Sequence, residues 1–164
     1  ERGKRSRSAE RDWTPTIGLG LPVLIPETYV RDLPVRLGLY RRIGGLSSVE
    51  ETEAMAAELV DRFGPLPEEV DNLLQVMTLK RICRESGVEK LDAGPKGMVL
   101  SFRGNSFANP GGLIPWIASR SGTIRLRPDH KLVVAADMDI SKRIRLAKDI
   151  LGNLARISAQ ARAA

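Results

Sequence analysis

Asp61-Arg-Phe-Gly-Pro-Leu-Pro67 constrains the fold more than any other stretch of this 164-residue chain. Gly64 suits the left-handed position that closes a helix, and Pro65 cannot continue one. Pro67 carries a pre-set φ that suits the first turn of a following helix. Glu68 and Glu69 then place negative charge at that helix's N-terminus. Two helices therefore meet at a tight corner, with Phe63 and Leu66 available to pack inside it. Physically this specifies a helix–corner–helix and nothing catalytic.

Apolar spacing extends the helical reading in both directions. Pro26 to Arg31 forms one turn. From Leu33 to Ile43 the apolar residues Val35, Leu39 and Ile43 stand four apart, and Gly44-Gly45 ends the run. Ser48 and Glu51 make a capping box for a helix reaching Phe63, with Met55, Leu59 and Phe63 as its buried stripe. The next helix, Pro67 to Ser86, buries Val70, Leu73, Leu74, Met77 and Cys83, and Gly87 closes it.

Beyond Gly87 the pattern changes. Val88 to Leu91 and Met98 to Arg103 read as short strands joined through Gly94-Pro-Lys-Gly97. Pro110 to Arg120 reads as a short helix burying Leu113, Ile114 and Ile117. Thr123 to Arg127 and Lys131 to Ala136 form a second hairpin across Pro128-Asp-His-Lys131, and a last helix runs from Ile140 to Ala161. The expected fold is α+β: a helical N-terminal half, then a ββαββα unit with a small, mainly antiparallel sheet and a long C-terminal helix. Glu1 to Arg11 has almost no apolar residue and reads as an arm. Trp13 to Ile25, with two prolines and two glycines, reads as extended and irregular. Residues 1–25 are thus expected to form a basic linker or extended arm, and residues 26–164 the folded domain.

Composition narrows the function classes. Cys83 is the only cysteine, so no internal disulfide forms and a reducing cytoplasm fits. The longest clean apolar run is Leu132-Val-Val-Ala-Ala136, far short of the roughly 20 residues of a membrane helix, and no signal peptide opens the chain. The net charge of +6 is uneven. Residues 1–12 carry +2 and residues 141–164 carry +5, while the body between them is close to neutral. Attraction to nucleic acid, if present, belongs to the ends.

An enzyme reading fails at each test. Gly94-Pro-Lys-Gly97 lacks the spacing and the Ser/Thr of a phosphate loop, and Gly18-Leu-Gly20 has no third glycine opening a helix. His130, the only histidine, sits in an expected turn. Asp137-Met-Asp139 resembles capping acids more than a cation site, since no third ligand is in view. No catalytic residue, metal ligand or cofactor site is assigned.

Two surfaces stand out. On the last helix Lys142, Arg145, Lys148 and Arg156 share one arc, opposite Ile144, Ala147, Ile150, Leu151 and Leu154. This arc reads first as a solvated helix face over a core-packed stripe, and second as a weak, salt-sensitive DNA contact. No aromatic residue is interleaved with it to stack bases. On the helix ending at Phe63, Glu51, Glu58 and Asp61 flank the buried stripe with small Ala54 between them. Such a strip accepts hydrogen bonds from a partner's arginines, or simply coats the helix for solubility.

A resemblance adds to this reading. Glu58-Leu-Val-Asp-Arg-Phe-Gly-Pro-Leu-Pro67 resembles the signature of the C-terminal domain of bacterial transcription-repair-coupling factor. Asp12-Trp13-Thr-Pro15, Leu24-Ile-Pro26-Glu-Thr-Tyr29 and Arg36-Leu-Gly-Leu-Tyr40-Arg-Arg42 recur in that order in the family. The resemblance runs from about Asp12 to the last helix. It implies a non-catalytic domain of an ATP-driven DNA translocase that dislodges stalled RNA polymerase and recruits excinuclease A. The implied role is to dock on the N-terminal, excinuclease-B-like module of the same parent chain and mask its excinuclease A surface. By position it implies Glu58 and Asp61 as contacts to basic residues of that module, with Arg62 and Glu51 beside them. Phe63, Gly64, Pro65 and Pro67 set the shape. The arm then follows the preceding translocase region.

Overall fold

The computed structural model describes residues 13–163, so the arm read at Glu1 to Arg11 lies outside them. The chain divides into two compact units. Leu21–Arg81 forms one, and Ile82 onward forms the other together with the segment before Leu21.

In the helical unit, helix termini fall where the punctuation puts them. Helix α1 spans Leu33–Gly44, with the Asp32 carboxylate accepting from the Val35 N–H at 3.0 Å and Pro34 in the first turn. Helix α2 spans Val49–Phe63, and α3 spans Glu68–Ser86. Ile25, Val30, Leu39, Ile43, Met55, Leu59, Val70 and Leu74 form one buried cluster. Val35, Phe63, Leu73 and Met77, expected inside, pack against it only partly buried. Val35 and Phe63 stand in the first and last turns of their helices, and Leu73 and Met77 beside the Val70–Leu74 row. Arg81 ties α3 to the start of α2, donating to the Ser48 carbonyl and the Thr52 hydroxyl, each at 3.0 Å.

In the second unit five strands order as β1-β2-β3-β5-β4. They are β1 Thr16–Gly18, β2 Val88–Gly94, β3 Gly97–Phe102, β4 Ile124–Leu126 and β5 Leu132–Ala135. Helix α4 spans Pro110–Ser119 and α5 spans Ile140–Ala163. Alternation of Met98, Leu100 and Phe102 on β3, and of Leu132 and Val134 on β5, gives the sheet one buried side. The α5 stripe of Ala147, Ile150, Leu151, Leu154 and Ile157 is buried as well. Three pairings are antiparallel, and β1 joins β2 in parallel, Ile17 opposite Leu91. The α+β class with its closing long helix is thus the observed one.

Three local expectations change. Trp13 to Ile25, read as irregular, supplies the edge strand β1 and buries Leu19 and Ile25. A three-residue strand whose partner lies some seventy positions away leaves no periodic trace in sequence. On α4 the buried pair is Leu113 and Trp116, while Ile114 is 66% exposed and Ile117 only half-buried. The helix turns its largest apolar side chain inward, because an indole removes more surface from water than an isoleucine. Gly64 has φ +94° and ψ −170°, so it is not the left-handed helical closure expected from the sequence. That backbone region is open essentially to glycine alone.

Candidate functional site

The corner at Gly64 is built from three directions. Helix α2 stops at Gly64, whose N–H donates to the Val60 carbonyl, and the Pro67 carbonyl accepts from the Val70 and Asp71 N–H groups to start α3. Glu68, Glu69 and Asp71 occupy its first turn, as the macrodipole favours. The Tyr29 hydroxyl, reaching over from the turn before α1, donates toward the Gly64 carbonyl at 2.8 Å and the Leu59 carbonyl at 3.0 Å. Its ring lies 5.7 Å from that of Phe63, centroid to centroid. Burial pushes the Tyr29 phenol up, keeping the donor protonated. A second tyrosine, Tyr40, accepts from the Ile25 N–H at 2.7 Å. The last two turns of α2 are therefore held at both the backbone and the ring. Tyr29→Phe is expected to cost about 1–2 kcal/mol, because two partly buried carbonyls then share one donor fewer. A lowered urea midpoint with an unchanged m-value checks this.

The acidic side chains of α2 are engaged to different degrees. Glu51 completes the cap at the helix start. Its carboxylate accepts from the Ser47 N–H at 2.7 Å and the Ser47 hydroxyl at 3.0 Å, while its own N–H donates to the Ser48 hydroxyl at 3.1 Å. These bonds hold its carboxyl below the usual range. Glu58 accepts a bidentate pair from Arg42 on α1, at 2.6 and 2.7 Å, and a third bond from Arg62 at 3.0 Å. Arg42 first, then Arg62, lowers the Glu58 carboxyl to about 2. Because the folded value is depressed, the contribution of this group is complete above its ordinary value of 4.5. It is lost as pH falls toward about 2. Asp61, one turn on and on the same flank, is exposed and makes no hydrogen bond or ion pair among the described residues. Arg62 also stacks 4.9 Å over the Phe63 ring.

Arg42 and Tyr29 are the two residues of this site that side-chain reasoning on the sequence missed. Both fall inside motifs of the resemblance, which was the available signal. A four-residue link joins α1 to α2, so helix spacing alone would set Arg42 opposite the start of α2 rather than Glu58.

The basic arc of α5 is only partly assembled. Lys142, Arg145 and Arg156 are exposed, and Lys148 is half-buried at the edge of the arc. Asp149 sits among them, paired with Arg120 at 3.4 Å, and Arg156 donates to the Asn153 side chain at 3.0 Å. Arg143, left out of the arc, is buried. It donates to the Met138 carbonyl at 2.9 Å and the Leu19 carbonyl at 2.8 Å, joining the start of α5 to the segment that follows β1.

The Ser141 hydroxyl and nearby backbone N–H groups hold the Asp139 carboxyl below its usual range, as a helix-start group. His130 is exposed, with φ +66° closing the β4–β5 loop. Cys83 is buried. Among the described residues no three His, Cys, Asp or Glu side chains gather as metal ligands, and no helix is long and apolar enough to cross a membrane.

A family model for the TRCF domain matches residues 19–113, more than half of the chain. Transcription-repair-coupling factor of Rickettsia conorii is 38% identical over 149 residues, covering 91% of this chain and 13% of that protein. That of Haemophilus influenzae is 32% identical over 140 residues, covering 85% and 12%. For Escherichia coli the identity is 32% over 114 residues, covering 70% and 9%. The chain thus spans about an eighth of the length of the curated relatives it matches. A crystal structure of the C-terminal domain of transcription-repair coupling factor shares its fold, with a TM-score of 0.69 at 19% identity, covering 90% of this chain and 96% of that one. The chain belongs to the TRCF-domain family and corresponds to the C-terminal region of transcription-repair-coupling factor.

Proposed function

We propose that this chain is the non-catalytic regulatory domain of a cytoplasmic, ATP-dependent DNA translocase of transcription-coupled repair. It docks on the N-terminal, excinuclease-B-like module of the parent chain and masks the surface that excinuclease A binds. Engagement of the parent protein with RNA polymerase and DNA accompanies its release. The observation that carries this reading is the fixed corner. Tyr29, Phe63 and Gly64 immobilise the end of α2, so Glu58 and Asp61 stand on one flank at a defined spacing. A rigid pair of carboxylates matches guanidinium groups on a partner with little ordering cost. A modest inter-domain interface, on the order of 600–1,500 Å², suits a mask that must open.

The test is titration of the chain into the purified N-terminal module at low and moderate salt, beside a short DNA duplex. Saturable binding to the module is expected, weakened at least tenfold by Glu58→Ala with Asp61→Ala. In the parent protein the same double substitution is expected to raise binding of excinuclease A. Binding to the module that ignores the substitutions would overturn the reading. Binding to the duplex alone would transfer the function to Lys142, Arg145 and Arg156 of α5.

A further inference from the structure

The Glu58 carboxylate is not waiting for a partner. Arg42 takes both of its oxygens in the fork geometry that an incoming guanidinium would use, and Arg62 takes one of them again. A carboxylate offers about four lone-pair positions, and three are filled. With Arg42 in place, the Glu58 carboxylate itself is already met by two guanidinium groups. A partner arginine then meets repulsion before attraction. Asp61 alone presents an uncommitted acid there among the described residues.

Resting on the docking reading above, we propose that Arg42 is an internal competitor for Glu58. It occupies the carboxylate while the domain is undocked and gives way when the partner's guanidinium takes its place. The mobility this requires is available. The Arg42 side chain is 50% exposed, that of Glu58 34%, and that of Arg62 43%. Exposed ion pairs contribute little to stability, so exchanging one is cheap, whereas the same carboxylate pairs more strongly once an interface excludes water. Arg42 stands in the last turn of α1, before Gly44 and Gly45, so its departure leaves the Leu39 and Ile43 core contacts untouched. Arg62 remains on its own helix, stacked on Phe63, and keeps Glu58 oriented during the exchange. Docking affinity is thereby set by a residue that touches no partner.

The proposal separates from the docking reading in a double-mutant cycle. Arg42→Gln is expected to tighten binding to the N-terminal module three- to tenfold. That gain is expected to vanish when Glu58→Gln is added, because no carboxylate is left to release. In the unbound chain, carboxyl NMR of Glu58 is expected to show its midpoint rising from about 2 toward 4.5 in Arg42→Gln. Binding of Arg42→Gln equal to or weaker than that of the unsubstituted chain would overturn the competitor role and leave docking standing. An unmoved Glu58 midpoint would overturn it without reference to any partner. Absence of binding by every variant would remove the docking reading, and the competitor role with it.

Discussion

Gly97→Ala is expected to cost about 3–5 kcal/mol, the largest loss among alanine substitutions of the described glycines. The reason begins at the β2–β3 hairpin. Gly94 pairs with Gly97 across the two residues Pro95 and Lys96. Proline at the first turn position fixes φ near −65°, and Lys96 is not among the positive-φ residues. The turn therefore cannot be one of the mirror-image types whose twist suits a tight hairpin. Gly97 absorbs the mismatch with φ +150°. Its Cα is thereby brought against the neighbouring strand, where an added Cβ would strike the Val134 carbonyl. Both atoms of that clash are tied to backbone, and β3 lies inside the sheet, so relief requires moving two strands. Set against a domain stability of about 5–15 kcal/mol, the substitution removes a large share of it. Gly94→Ala is the control, since its Cβ meets nothing within 4 Å, and it is expected to change stability by less than about 1 kcal/mol. Urea unfolding of the two variants decides the matter, and equal midpoints would refute this account of the hairpin.

Gly64→Ala is expected to cost about 2–3 kcal/mol by a different route. No atom lies within 4 Å of a Cβ built there, so crowding contributes nothing. The cost is conformational, from holding an alanine at φ +94° and ψ −170°. Gly64→Asn discriminates this from ordinary helix closure. Asparagine tolerates the left-handed helical region and would restore a conventional cap, yet it has no easy access to the conformation seen here. Both variants are expected to unfold earlier than the unsubstituted chain by similar amounts. Recovery by asparagine would mean that the corner closes through left-handed helix after all. Because the Gly64 carbonyl is one of the two acceptors of Tyr29, either substitution is also expected to weaken docking through the loosened end of α2.

The resemblance of the signature string and the physics of its glycine and prolines point at the same residues for separate reasons. Gly64 and Pro67 are needed for shape whatever the domain binds. Glu58 and Asp61 are not needed for the corner at all. Glu51, grouped with them from its position, divides off because its carboxylate is consumed by the Ser47 N–H and hydroxyl at the start of the helix. A residue that satisfies a helix terminus is poorly placed to serve a partner as well, since releasing it exposes orphan donors.

Sequence alone determined the helix boundaries, both hairpins and the α+β order, because capping residues, glycines and alternation act within a few positions. The capping pair Ser48–Glu51 and the proline-bounded corner are cases in which local chemistry leaves few alternatives. The tertiary structure decided what depends on residues far apart along the chain. It paired Thr16–Gly18 with β2, drew Arg143 into the interior to bond Leu19, turned Trp116 rather than Ile114 inward, and set Arg42 on Glu58. Each of these is a contact between long or large side chains, or between strands, whose partners are chosen by packing once the elements meet. Periodicity reports which face of an element is apolar, but not which distant group will complete it.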